Sequence, residues 1–211
     1  MTTTLEIVAS SNETVYGNSL VSYAVARSTA SDILAYPVVG QVEVSPDYNQ
    51  WSVYRGFLKF DTSVIPADAT ITKVALRMVC SAERVTHYSI ALQIIEHDWS
   101  AIDPISAGNM EAVYDACLAA SDFFVWVADM NAVLINTQYT GADMTIGYVN
   151  RTGNTYYSLR SSQDKDGTVP LKAQDYLIFN HADKPTLIVE YTAPPTITGI
   201  STITGLSSIQ F

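Results

Sequence analysis

The chain has 211 residues, and its 21 acidic and 11 basic side chains give a formal net charge of −10. This charge argues against a nucleic-acid partner and against an anionic membrane surface, because both need a basic face on the protein. A hydrophobic content of 48% with only 15% charged residues is typical of a folded globular protein and excludes a disordered chain. The length suits one domain with a sizeable core.

The two ends of the sequence carry no membrane signal. The first residues, MTTTLEIVASSNETV, lack the basic and apolar regions of a signal peptide. Residues 191–211 are uncharged, but they contain too much Thr, Ser, Gly and Pro for a transmembrane helix. We therefore expect assembly in a cytoplasm without membrane insertion. The alternative is an extracellular or cell-surface protein whose leader is not part of this sequence.

Residues 5–53 are β-like with long loops, and the clearest pattern follows at Tyr54–Met78. There, large apolar residues alternate with polar or small ones on either side of Ile65-Pro66-Ala-Asp68. Pro66 fixes its own φ and Asp68 can bond the nearby backbone, so this tetrapeptide predicts a turn between two strands. Further strands are predicted at 86–99, 123–127, 144–149, 155–160 and 187–191, a polar turn at 163–167, and helices at 107–120 and 130–137.

Many short strands separated by turn signals predict an all-β, jelly-roll-like antiparallel β-sandwich with one or two short helices. We expect this domain to span residues 1–193. Leu58 and Phe60 should share an inward face, because residues two apart in a strand point the same way. The predicted core includes Phe57, Leu58, Phe60, Leu76, Leu92 and Val189.

The strand pair resembles the DNRLRE family, a β-sandwich module also classed among carbohydrate-binding modules. The residues in register with that family's core are Arg55, Phe57, Leu58, Phe60, Asp61, Ser63, Ile65, Pro66, Ala69, Ile71, Ala75 and Leu76. Two further blocks are similar: IALQIIEHDW at 90–99, and YSLRSSQD at 157–164 followed by KPTLIVEY at 184–191. The resemblance covers roughly residues 5 to 192. It implies the sandwich architecture and a carbohydrate ligand, although one fold hosts many functions.

The chain after Pro194-Pro195 changes character. TITGIS at 196–201 is followed by TITGLS at 202–207, and neither repeat is charged. Residues 194–211 are predicted to be an extended arm that docks on another subunit, since a free aliphatic segment of this kind would aggregate. The alternatives are a disordered end or the start of a further module. The residues expected to make the assembly contacts are Ile197, Ile200, Ile203, Leu206, Ile209 and Phe211.

No catalytic motif was found, so the chain is not predicted to be an enzyme, and no cofactor is predicted. His97 and Asp98 are neighbours and point to opposite faces of a strand, whereas Glu96 and Asp98 would share a face. Cys80 and Cys117 are expected to be buried, with a disulfide between them left open. A weak calcium site is conceivable at Asp164 and Asp166, but a solvated Asp-Gly turn is the commoner use of this pattern.

Two groups of aromatic and amide residues are candidate glycan sites, because sugars stack on aromatic rings while amides and charged groups bind their hydroxyls. The first group is Tyr48, Asn49, Gln50 and Trp51; the second is Asn150, Arg151, Asn154 and Tyr156. The alternative is that these aromatic residues belong to the core and its rim.

These features lead to two functional hypotheses. The first is a non-enzymatic structural protein of a phage virion surface, such as a capsid decoration or tail protein, which binds copies of itself or a capsid or tail protein through its arm. The second is a carbohydrate-binding module of a secreted or cell-surface protein.

Overall fold

The computed structural model describes residues 1–45, 50–84, 90–170 and 174–193. Within these ranges the chain forms twelve strands and three short α-helices, and all of the strand pairings are antiparallel. The predicted all-β sandwich is therefore confirmed, but it carries three short helices where one or two were predicted. The predicted arm, residues 194–211, lies outside the described residues.

The strands are β1 Thr2–Val8, β2 Ser11–Ser19, β3 Asp32–Leu34, β4 Val38–Ser45, β5 Gln50–Asp61, β6 Thr70–Arg84, β7 Leu92–Glu96, β8 Phe123–Val127, β9 Gln138–Thr140, β10 Asn154–Ser161, β11 Gln174–Phe179 and β12 Thr186–Thr192. The helices are α1 Tyr23–Ser28, α2 Met110–Ala119 and α3 Ser162–Asp166.

Strand β6 joins the two layers of the sandwich. Its first part, from Thr70 to Arg77, pairs with β12, and its last part pairs with β11. Strands β1 and β9 complete the first layer with β12 and β6. The second layer contains β2, β3, β4, β5, β7, β8, β10 and β11. Because β6 belongs to both layers, the layers form one continuous path of strands.

The turn predicted after Asp61 carries the chain from one layer to the other. The Ile65 amide donates to Thr62 O at 3.1 Å, and the Ala69 amide donates to Pro66 O at 3.0 Å. The strands that flank the turn, β5 and β6, do not pair with each other. This turn is therefore a connection across the core, and the buried side chain of Ile65, 1% exposed, helps to close that end.

The main core lies between the two layers. Leu58 and Phe60 both belong to it, as predicted from their spacing, and so do Leu76, Leu92 and Val189. Phe57 is equally buried, but it points to the opposite face of β5 and belongs to a second cluster. All six residues predicted for the core are buried. Five of them form one cluster, and Phe57 belongs to a second packed face of β5.

Helix α2 covers that second face. Its residues Val113, Tyr114 and Cys117 are buried against Phe57 and Trp99. The helix predicted for 107–120 is thus confirmed, with slightly narrower bounds. Since β5 and its neighbours are covered on both faces, the second layer is buried like the middle layer of a three-layer protein.

Four predicted elements differ from the structure in type or length. The polar turn predicted at 163–167 is helix α3, Ser162–Asp166, and the strand predicted at 86–99 is confirmed only at Leu92–Glu96 among its described residues. Residues 144–149 contain a short 3₁₀ turn, Ile146–Tyr148, instead of a strand. Met144 and Val149 are buried in the main core as loop residues, so their apolar character reflects burial and not strand alternation. The helix predicted at 130–137 is a single 3₁₀ turn, Met130–Ala132, which Asp129 caps by accepting a hydrogen bond from Asn131 N.

The two cysteines are free and buried. Cys80 belongs to the main core, whereas Cys117 lies in the cluster under α2. The sequence did not decide whether Cys80 and Cys117 form a disulfide, and in the structure they do not.

We expect Phe60→Ala to lower the free energy of unfolding by about 3–5 kcal/mol, because it removes a fully buried ring from a close-packed core. Urea denaturation followed by circular dichroism measures this change. The matched control is Val64→Ala in the adjoining turn, where the parent side chain is 58% exposed. Equal stability of the two variants would contradict the position of Phe60 in the core.

Candidate functional site

A buried ion pair connects the two halves of the sequence. The Arg55 guanidinium on β5 donates from Nε to Asp164 Oδ2 at 2.7 Å and from Nη2 to Asp164 Oδ1 at 2.8 Å. Both side chains are fully buried. Burial alone lowers the pKa of Arg55, but its hydrogen bonds to Asp164 and that carboxylate's charge outweigh burial and raise the pKa above its usual value. Arg55 therefore remains a cation within the protein.

The remaining donors of Arg55 hold the helices over the second layer. Nη1 donates to Tyr114 O and Nη2 to Arg27 O, each at 2.9 Å. The guanidinium also lies 3.7 Å from the centre of the Tyr114 ring, in a cation–π contact. The Tyr114 hydroxyl in turn donates to Ala26 O at 2.8 Å. One arginine thus links α1, α2 and α3 to β5.

A second buried arginine, Arg160 on β10, binds the carboxyl-terminal end of α2. Its Nη1 donates to Cys117 O at 2.7 Å, and its Nη2 donates to Ala120 O at 2.9 Å. Its Nε donates to Gln93 Oε1 at 2.9 Å. The last carbonyl groups of a helix lack intrahelical partners and carry partial negative charge, so a cation there stabilises the helix.

The contacts of Asp164 argue against the predicted calcium site. Both of its carboxylate oxygens accept hydrogen bonds from Arg55, and a calcium ion there would have to displace the guanidinium and lie beside its positive charge. Asp166 is exposed at the end of α3, where Gly167 adopts the left-handed conformation that ends the helix. Within residues 1–45, 50–84, 90–170 and 174–193, no three His, Cys, Asp or Glu side chains form a metal site.

Of the first predicted glycan group, Gln50 and Trp51 are described, and Tyr48 and Asn49 lie outside the described residues. The Trp51 ring is half-buried and packs against a small cluster formed by Tyr23, Ala26 and Val53. Trp51 therefore lies outside the main core, but only part of its ring is available for stacking on a sugar. Gln50 donates from Nε2 to Asn18 Oδ1 at 3.3 Å.

The second group lies at the opposite end of the sandwich. Gln50 and Asp61 are the two ends of β5, and Asn154 pairs with Asp61. The eleven steps from Gln50 to Asp61 correspond to roughly 36 Å at a rise of about 3.3 Å per residue. The two predicted glycan groups therefore cannot form one site.

Residues 149–156, which we call the 149–156 segment, are fastened to the turn between the layers. The Thr62 hydroxyl donates to Asn150 O at 2.5 Å and lies 2.7 Å from the Thr155 hydroxyl. Arg151 Nη1 donates to Ala67 O at 3.0 Å and to Ala69 O at 2.6 Å. These contacts fix the backbone of the segment at the surface.

The 149–156 segment separates two depressions. On one side lies a cavity of about 300 Å³, in which Arg151 is the only charged residue. Its walls are Ala69, Thr70, Ile71, Ile146, Gly147, Val149 and Arg151. On the other side lies a cavity of about 60 Å³ lined by Asp98, Tyr148, Asn150, Asn154, Thr155 and Tyr156. Only the larger cavity reaches the size of ordinary small-molecule sites, about 300–1,000 Å³.

Three of the four predicted residues thus line the smaller cavity, but Tyr156 is not a stacking platform. It is only 7% exposed, and its ring packs edge-on against Trp99 at 4.7 Å. Its hydroxyl donates to Asp103 Oδ2 at 3.2 Å. The sequence could not separate this buried tyrosine from an exposed one, because a tyrosine in a predicted strand can lie on either face of the sheet.

Sequence reasoning missed Tyr148, Asp98 and Thr155, which complete the smaller cavity. Tyr148 donates from its hydroxyl to Tyr156 O at 2.8 Å. Burial raises the pKa of Tyr148, and the negative charges of Asp98 and Glu96 add to this effect, so its hydroxyl stays protonated. For Asp98 the sequence offered one signal, the predicted shared face with Glu96. For Tyr148 it offered none, because Tyr148 lies in a stretch that was predicted as a strand.

Comparison with protein-family models and with curated proteins found no match for this chain. The resemblance to the DNRLRE family therefore stays a prediction. In the part of the chain that the structure describes, no helix is long and apolar enough to span a membrane.

We expect Asp164→Ala to cost about 3–5 kcal/mol of unfolding free energy, because it leaves Arg55 buried without its carboxylate. The control is Asp166→Ala in the same helix, an exposed position where a change within about 0.5 kcal/mol is expected. Thermal and urea unfolding are measured with calcium and with a chelator. If calcium stabilises the parent but neither variant, the result would support the metal site. If both variants lower the free energy of unfolding by the same small amount, the result would contradict the role of the ion pair.

Proposed function

We propose that this chain is a non-enzymatic structural and adhesive protein, and that it serves as a phage virion surface component, either a capsid decoration or a tail protein. In this proposal the β-sandwich is a rigid body assembled in the host cytoplasm. Residues 194–211 attach it to copies of itself or to a capsid or tail protein.

The observation that carries the proposal is the use of the buried charges. Arg55 and Arg160 direct their donors to Asp164, to Gln93 and to main-chain carbonyl groups of the helices. Buried ionic groups in an active site are instead directed at a substrate or at a catalytic partner. A layer packed on both faces and tied by two arginines suits a protein whose task is to keep its shape.

The exit point of the arm also supports the proposal. Strand β12 ends at Thr192, which pairs with Thr2 of β1 on one side and with Thr70 of β6 on the other. The chain therefore leaves the sandwich at a surface end, from where it can reach a neighbouring subunit. The Pro194-Pro195 sequence predicts extended backbone after this point.

A second candidate function, binding of a glycan as a carbohydrate-binding module, is favoured by the cavity beside Arg151. Its volume of about 300 Å³ fits a single sugar ring, and Arg151 together with Thr70 offers hydrogen-bond donors at its wall. The two functions are compatible, because a virion surface protein can also bind glycans.

Truncation after Pro194 tests the structural role. The shortened chain should keep the melting temperature of the parent, since all three clusters of the core lie within residues 1–193. It should lose self-association, or attachment to the particle, which size-exclusion chromatography with light scattering and particle co-sedimentation measure. A truncated chain that assembles and attaches as the parent does would contradict the proposal.

Arg151→Ala tests the glycan function by affinity electrophoresis on a panel of polysaccharides. We expect at least a tenfold loss of retention on the polysaccharide that the parent binds, because a good charged hydrogen bond contributes about 1.5–3 kcal/mol. Trp51→Ala, at the far end of β5, is the control and should retain binding. If Trp51→Ala loses retention and Arg151→Ala keeps it, the glycan site lies at the Trp51 end of β5. If the parent and both variants are retained equally, neither site binds the glycan.

A further inference from the structure

Strand β1 has one hydrogen-bonded edge and one open edge. Among the described residues it pairs with β12 alone. The Ala9 amide donates to Pro185 O at 2.8 Å, which continues the β1–β12 register by one pair. In an antiparallel ladder the hydrogen-bonded pairs alternate, so odd-numbered residues face β12. The main-chain groups of Thr2, Thr4, Glu6 and Val8 therefore point to the open edge.

This edge lacks the features with which proteins usually prevent strand addition. Residues 2–8 contain no proline and no lysine, and their register with β12 has no bulge. Glu6 is the single charge, and Arg77 neutralises it through two hydrogen bonds of 2.9 and 2.6 Å. Leu5 is only half-buried against the main core, and Val8 is 56% exposed. The edge can accept another strand and would gain apolar contacts from it.

The segment 196–207 has the composition that such a partner strand needs. It contains Thr, Ile, Ser, Gly and Leu without a charge, and Thr and Ile favour strands. Its aliphatic residues recur every three positions, so in a strand they alternate between faces: Ile197 and Ile203 on one, Ile200 and Leu206 on the other. One face could then cover Leu5 and the other Val8.

The position of the exit point favours a partner copy over the same chain. To reach the open edge of its own β1, the segment would have to reverse direction and pass around the start of that strand. Ala193 and Pro194 each precede a proline, which disfavours the compact backbone of a tight reversal. Since the exit point and β1 are neighbours, a two-fold axis beside this edge would let two copies exchange segments reciprocally.

We propose that residues 196–207 of one copy add as a strand to the open edge of β1 in a second copy. This inference rests on the proposed function, because it identifies the surface that receives the arm. The contact is a main-chain ladder to Thr2, Thr4, Glu6 and Val8, with aliphatic side chains over Leu5 and Val8.

The experiment separates donor from acceptor. Truncation after Pro194 leaves an acceptor without a donor segment. Thr4→Pro leaves a donor whose edge is blocked, because proline removes an amide that faces the open edge and not β12. Thr4→Ala keeps the amide and is the matched control. Masses are measured by light scattering after chromatography, and folding of each variant is checked by its melting temperature. If Thr4→Pro fails to fold, Glu6→Pro replaces it, since it removes an amide on the same edge.

We expect the parent and Thr4→Ala to be dimers and each of the other two variants to be a monomer. An equimolar mixture of the truncated chain with Thr4→Pro should form a heterodimer through one donor and one acceptor. A parent that is monomeric, or a Thr4→Pro chain that dimerises like the parent, overturns the inference. Neither result decides the proposed function, which particle attachment tests independently. The proposed function is supported if the truncated chain no longer attaches to the particle, and it is contradicted if attachment is unchanged.

Discussion

The ion pair between Arg55 and Asp164 is the interaction on which the rest of this fold depends. A guanidinium with no exposure inside a protein needs partners for its donors, and here they come from Asp164, Tyr114 and Arg27. These partners lie in three helices that are far apart in the sequence. The arginine can be buried only if all three helices are in position, so it couples their packing. Breaking such a pair costs more than the pair contributes, because the remaining charge stays buried.

The coupling explains why one layer of the sandwich is packed on both faces. The inner side of β5 presents Leu58 and Phe60 to the main core, while its outer side presents Phe57 and Arg55 to the helices. Arg160 on β10 repeats the arrangement by binding the last carbonyl groups of α2. Gly17 on β2 permits the close approach of α1, since a Cβ atom there would lie 1.8 Å from Ala26 O. Polar contacts therefore fix the helices, and apolar contacts fix the layers.

The proposed functions depend on two surfaces of this architecture. At one end of the sandwich, the 149–156 segment is fixed by Thr62 and by the contacts of Arg151, and a cavity of about 300 Å³ lies beside it. At the edge, β1 presents main-chain groups that β12, its one partner strand among the described residues, does not use. A cavity recognises small ligands, whereas an open edge recognises extended chains. Neither surface is formed by the residues that pack around Arg55.

The sequence by itself determined the strands whose alternation was strong, the amphipathic helix α2, and the shared face of Leu58 and Phe60, because these depend on neighbours within a few residues. It did not determine that the strands flanking Pro66 belong to different layers, that Tyr156 is buried, or that Asp164 pairs with Arg55. Each of these depends on a partner that is distant in the chain: Arg55 and Asp164 are 109 residues apart. Periodicity reports which residues seek burial, but only the tertiary structure decides which distant groups meet there, since that choice is made by the packing of the whole chain.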